Sequence, residues 1–111
     1  MFRAFTFSAA LALLIPFAAF GGYSQVSTFA GGGSVFSTPS GIAVTPAGDL
    51  IVADNDHHQI KRVSSTGAVT VLAGTGALGS VDGPANVATF RSPVAVAYDA
   101  PHDLIYVADT Q

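Results

Sequence analysis

Five consecutive residues, Asp54-Asn55-Asp56-His57-His58, form the densest set of groups in the chain able to do chemistry. Two carboxylates and two imidazoles at this spacing could ligate a divalent metal, or supply a general base at the end of a strand. The same residue types also do a simpler job in a turn, where Asp and Asn side chains bond neighbouring backbone amides. Asp54 returns as Asp109 at the end of a second Val-Ala-Asp. A turn former recurs in every repeat where a catalytic residue seldom does, which favours the structural role. Asp54, Asp56, His57 and His58 therefore stand as candidate metal ligands, and no residue is assigned to catalysis. His102, within Pro101-His102-Asp103, reads as a solvated loop histidine. The run Gly31-Gly32-Gly33-Ser34 has neither the following Lys nor the helix of a phosphate cradle, and reads as a flexible connection. No Gly-x-Ser-x-Gly elbow is present, so no triad can be drawn.

The elements that must hold these residues are strands and turns. Gly41-Ile42-Ala43-Val44 is a short apolar run stopped by Thr45-Pro46-Ala47-Gly48-Asp49, and Leu50-Ile51-Val52-Ala53 is a second, stopped by Asp54-Asn55-Asp56. Residues 59–64 alternate loosely, with Ile60 and Val63 on the apolar side. Gln59, Lys61 and Arg62 place this third strand at a solvated rim. Ser65-Thr66-Gly67 turns the chain, and residues 68–72 form a fourth strand. No stretch after the leader holds a helical period.

The pattern repeats. Phe36, Pro39 and Ala43 recur 54 residues later as Phe90, Pro93 and Ala97, and Val52-Ala53-Asp54 returns as Val107-Ala108-Asp109. Val26, Ala30 and Gly31 recur 43 residues later as Val69, Ala73 and Gly74. The difference is an 11-residue insertion between Gly74 and Pro93, placed at residues 77–87. Four short antiparallel strands in a repeating unit of this length describe an all-β fold of propeller blades.

The unit resembles the NHL repeat. Pro39-Ser40-Gly41-Ile42-Ala43-Val44, then Gly48, Leu50-Ile51-Val52-Ala53-Asp54, His57-His58-Gln59-Ile60 and Val71-Leu72-Ala73-Gly74 follow that family's order of motifs. A second copy opens at Pro93 and reaches Ile105-Tyr106-Val107-Ala108-Asp109. The chain departs from the family at His57, where Asn is usual, and at Gln59, where Arg is usual. The resemblance implies structural roles in the repeat for Pro39, Gly41, Asp54, His58, Gly74, Pro93 and Asp109. It also implies a ring of mostly six blades.

The start of the chain is of a different kind. Arg3 precedes an apolar stretch over residues 4–20, and Gly21, Gly22 and Ser24 supply small side chains beyond it. This is the form of a secretory signal, cut after Ser24, or after Gly21 or Gly22. The rival reading is a membrane anchor, since a stretch of 17 residues, broken only by Thr6 and Ser8, lies at the lower edge of what spans a bilayer. Residues 1–24 are thus read as the signal and 25–111 as a partial propeller. Within the latter, 25–31 is a closing strand, about 39–74 a full blade, 75–92 a loop and 93–111 half a blade. The product is expected to be secreted or periplasmic, of an exported bacterial type.

Loss of the leader leaves Lys61, Arg62 and Arg91 against seven acidic residues, all Asp. Such a chain has no footprint for nucleic acid or, once processed, for an anionic membrane. There is no cysteine, so disulfides, thiolate metal sites and an N-terminal lipid anchor are excluded.

Blades need stacked neighbours, which makes the chain the first part of a longer ring. Three function classes follow. One is a binding or interaction scaffold for a protein or other extracytoplasmic ligand. Another is a lyase- or lactonase-like, metal-assisted enzyme whose site needs further blades; the resemblance allows this, and the residues favour it less. The last is a truncated product without independent function. No cofactor is evident, and a divalent metal stays open for the full-length parent. The long loop, through Ala77, Asp82 and Asn86, is the expected contact surface.

Overall fold

The computed structural model describes residues 2–7 and 23–110, with side chains from 26 to 110. The central part of the expected leader, residues 8–22, lies outside the described residues. Among the described residues, eight strands follow in order: β1 (Phe2–Phe7), β2 (Tyr23–Ala30), β3 (Pro39–Val44), β4 (Leu50–Asp54), β5 (Gln59–Val63), β6 (Val69–Ala73), β7 (Pro93–Asp99) and β8 (Leu104–Asp109). They make three antiparallel sheets: β1-β2, the four-stranded β3-β4-β5-β6, and β7-β8. No helix among the described residues is long and apolar enough to cross a membrane.

Turn chemistry sets the blade. Between β3 and β4, Thr45 N–H donates to Asp49 O and Gly48 N–H to Thr45 O, with Gly48 at φ 85°. The β5–β6 turn repeats this geometry, Ser64 bonding Ala68 and Gly67 standing at φ 90°. Both glycines occupy the left-handed region that a side chain disfavours. Asp103 takes the same place in the β7–β8 turn, at φ 52°, as Asp tolerates better than most residues. Pro39 and Pro93 open their strands, where a missing N–H does least harm to the ladder.

Period-two alternation then gives the central sheet two apolar faces. On one face Val52 and Val63 are fully buried together with Ala30 and Phe36. On the other, Ile51, Ala53 and Ile60 pack with Ala43, Leu72 and Phe90 and meet Val96, Ile105 and Val107 of the second blade. Each fully buried Ile or Val contributes about 1.5–3 kcal/mol. The third strand differs from its expected place at a solvated rim. Only Arg62 of β5 is exposed, while Lys61 retains 6% of its surface. Lys61 pairs across the ladder with Val52, inside the sheet rather than at its margin.

The blades meet closely at Gly41. A Cβ built there would lie 2.6 Å from the Ala95 Cα and 2.9 Å from the Val94 carbonyl oxygen. Backbone, unlike a side-chain tip, cannot swing aside. Gly41→Ala should therefore push β3 from β7 and cost about 1–3 kcal/mol. Thermal unfolding should register this as a drop of about 4–8 °C per kcal/mol. An unchanged melting temperature would mean that the blades do not meet here.

Candidate functional site

The turn between β4 and β5 carries the residues singled out for chemistry. Asp54, at the end of β4, is fully buried. Its Oδ1 accepts the Ser37 amide at 2.8 Å, while Oδ2 lies 2.5 Å from Lys61 Nζ and 2.7 Å from His57 Nδ1. Lys61 also donates to the Val35 carbonyl at 2.6 Å, lies 3.1 Å from His57 Nδ1, and stands 5.3 Å from the centre of the Phe36 ring. A protonated His57 Nδ1 donates to the carboxylate, and a bare one accepts from the ammonium. The network thus fastens the segment before β3 to the far end of β4 and β5.

Of the four candidate ligands, the structure brings together Asp54 and His57. Asp56 turns to Thr38, whose Oγ1 donates to it at 2.5 Å, with Ser37 Oγ at 3.4 Å. His58 sits at φ 55°, with Nδ1 buried and lacking a hydrogen-bond partner. No group of three or more metal-ligating side chains converges among the described residues. The place beside Asp54 that a cation would take is filled by the Lys61 ammonium. Sequence reading missed Lys61. The available signal was its two-residue spacing from Val63, which puts both on the face of Val52 and Asp54.

The second blade repeats the anchoring role. Asp109 accepts the amides of Arg91 at 3.1 Å and Ser92 at 2.7 Å. Arg91 follows Phe90 as Ser37 follows Phe36, so each Asp binds the amide after its phenylalanine. Asn55 adds a link between blades, accepting from Ser92 Oγ at 3.0 Å. Ser40 Oγ does likewise, donating to the Pro93 carbonyl at 3.0 Å.

Two further surfaces lie open. Beside the β3–β4 and β7–β8 turns, a groove of about 540 Å³ runs between the blades. Asp49, Arg62, Tyr98 and Asp103 supply its polar groups. Arg62 Nε donates to Asp49 at 2.9 Å, and Tyr98 Oη donates to Asp103 at 2.5 Å, which raises the phenol above its ordinary range. The other surface is the loop over residues 75–92. Backbone bonds from Gly74 to Ala85, Thr75 to Ala88, Gly79 to Phe90 and Thr89 to Val81 hold it in shape. Ala77, Asp82 and Asn86 are exposed on it, as are Leu78, Val81 and Val87.

Residues 36–63 match the NHL repeat family. The chain carries an NHL repeat, and its fold is that of β-propeller blades. One similar solved structure is an auxiliary nutrient binding protein from Bacteroides thetaiotaomicron, 25% identical with a TM-score of 0.59, over 67% of this chain and 21% of that one. Another is a structural-genomics protein of unknown function from the same bacterium, 24% identical with a TM-score of 0.62, over 68% of this chain and 19% of that one. The chain thus spans about a fifth of the length of the solved structures it matches. No curated protein matches it.

The electrostatics of Asp54 give a pH signature. Burial works to raise its carboxyl, but the bonds from Lys61, His57 and the Ser37 amide together hold it below the usual 3.8. A carboxyl lower in the folded state contributes stability in full above the unfolded value, and loses it as pH falls through the folded one. Acid should therefore lower the melting temperature below about pH 3.8, and less steeply in Asp54→Asn. Asp54→Ala, which leaves Lys61 buried and unpaired, should cost about 3–5 kcal/mol at neutral pH. Identical acid limbs in native and Asp54→Asn protein would exclude this role.

Proposed function

We propose that this chain is the first part of an exported NHL-repeat propeller that serves as a binding scaffold, with loop 75–92 as a contact surface. The observation that carries the reading is the division of labour among polar groups. Asp54, Asp56, Lys61 and Asp109 are engaged in holding loops and blades. The loop turns Leu78, Val81 and Val87 to solvent beside Asp82 and Asn86. Apolar side chains rimmed by polar ones are the composition of an interaction surface. A nutrient-binding role in one similar structure agrees with a binding function. Export rests on Arg3, the apolar residues 4–20 and the small residues after them. The partner is a protein or other ligand outside the cytoplasm; no cofactor is assigned to this chain, and a divalent-metal site in the full-length ring would draw on further blades.

Two measurements test this. A photo-crosslinking side chain at Asp82 should capture extracytoplasmic material, where the same group at Thr66, on the opposite turn, should not. Equal capture at both positions, or none at Asp82, removes the loop from the reading. Export should yield a product whose N-terminal residue is Gln25, following Ser24. A product that retains Met1 in the membrane fraction would favour an anchor instead.

A further inference from the structure

All seven Asp residues lie among the described residues, and six of their carboxylates are held by hydrogen bonds. Asp49 accepts from Arg62 and the Ser65 amide, and Asp54 from Lys61 and the Ser37 amide. Asp56 accepts from Thr38, Asp99 meets His102 Nδ1, Asp103 accepts from Tyr98, and Asp109 takes the Arg91 and Ser92 amides. Among the described residues Asp82 alone has no such partner, and it is exposed. It is also the one Asp that glycine follows.

The backbone is free at the same place. Val81 is tied to Thr89, its N–H donating to Oγ1 at 2.9 Å and its carbonyl accepting the amide at 3.1 Å. On the other side, the Pro84 carbonyl accepts from Val87 and Ala88, and the Ala85 carbonyl from Gly74. Between these ties the Gly83 amide donates to no group among the described residues. Gly83 stands at φ 156°, where a side chain is disfavoured, and the missing side chain leaves its nitrogen unshielded. A Cβ built there would meet only Val87, at 3.6 Å. A carboxyl without a competing partner thus precedes an amide without one, and the two are spaced to close a five-membered ring.

We propose that Asp82-Gly83 is a self-modification site, where the Gly83 nitrogen closes on the Asp82 carboxyl to a succinimide that water reopens to isoaspartate. In the first step the bond from Gly83 N to Asp82 Cγ forms and the Cγ–OH bond breaks. The amide proton and the hydroxyl leave together as water. In the second step water adds to the ring. Breaking the bond from N to Cγ restores aspartate, and breaking that from N to the Asp82 backbone carbonyl leaves the chain running through Cγ. The isoaspartate keeps the same atoms, with one more carbon in the backbone and the carboxylate moved onto Cα. No reactant besides water enters. Attack within one chain is fast where the fold lets the two atoms meet, and here no bond holds either away. The reaction does not require the loop to meet a partner, so it stands apart from the binding role.

The test ages the full chain at neutral pH, below its melting temperature, and then digests it with trypsin. Residues 63–91 form one tryptic peptide, in which Asp82 is the sole aspartate. A product of unchanged mass should accumulate that separates from the parent peptide, resists an Asp-directed protease and accepts methyl from an isoaspartyl methyltransferase. Deamidation at Asn86 adds mass, and is told apart by it. The rate in the folded chain should stay within about tenfold of that in the free peptide 63–91, because no native bond has to open first. Asp82→Glu, which would need a six-membered ring, should lower the product by at least about tenfold. Asp82→Asn, which releases ammonia in place of water, should raise it. A folded chain slower than the free peptide by more than this margin overturns the proposal. So does equal isoaspartate in native and Asp82→Glu protein, and so does isoaspartate that appears first at one of the six bonded aspartates.

Discussion

Strands β3 to β6 bury apolar side chains on both faces, and no helix among the described residues covers either one. Val52 and Val63 face one way and Ile51, Ala53 and Ile60 the other. A sheet with two apolar faces must find another layer on each side, and here the second layer is more of the same chain. Ala30 and Phe36 cover part of one face, and the β7–β8 sheet covers part of the other. This need accounts for the small residues near the inner strands. Gly41 lies against the backbone of Ala95 because a larger residue would hold the sheets apart and uncover Ile51. Close approach and two-sided burial are one requirement seen from two places.

Stacking sheets in this way creates a second problem, which the carboxylates at the strand ends solve. The chain must leave the outer strand of one blade and return to the inner strand of the next. That crossing exposes backbone amides without ladder partners. Asp54 accepts the Ser37 amide, and Asp109 those of Arg91 and Ser92. A carboxylate placed there needs a counter-charge, which Lys61 supplies in the first blade. A buried pair of this kind brings little net stability, because desolvation offsets most of the attraction. Its value lies in position, since it fixes where the crossing segment meets the sheet. What looks in sequence like a reactive cluster works as a fastening.

Much of this was legible in the residues. Turn clusters at Gly48 and Gly67 and the short apolar runs between them marked four strands. The recurrence of Phe36, Pro39 and Asp54 as Phe90, Pro93 and Asp109 marked the repeat. Lys61 was misplaced, because a charged residue in a half-polar strand reads as solvated. Its burial depends on Asp54 across the ladder and on the Val35 carbonyl and Phe36 ring, contacts made 25 residues or more away in sequence. The left-handed backbone of His58 was equally hidden, for nothing in a histidine announces φ 55°. Local chemistry was readable; long-range company was not.

The position of the insertion also carries an argument about function. The first crossing, over residues 31–38, and the second, over 75–92, both lead to a phenylalanine and a proline that open the next blade. Phe36 and Phe90 are each packed against the central sheet, on opposite faces. The second crossing adds its extra length before this anchor, so the anchor is undisturbed. That length does not hang loose, since Gly74, Thr75, Gly79 and Thr89 tie it down by backbone bonds. A repeat tolerates variation where its stacking contacts are not involved. Extra chain that is held in shape, yet turns Leu78, Val81 and Val87 to solvent, is not needed to close the blade. Residues that recur hold the sheets together, and the segment that does not recur is left free to meet something else.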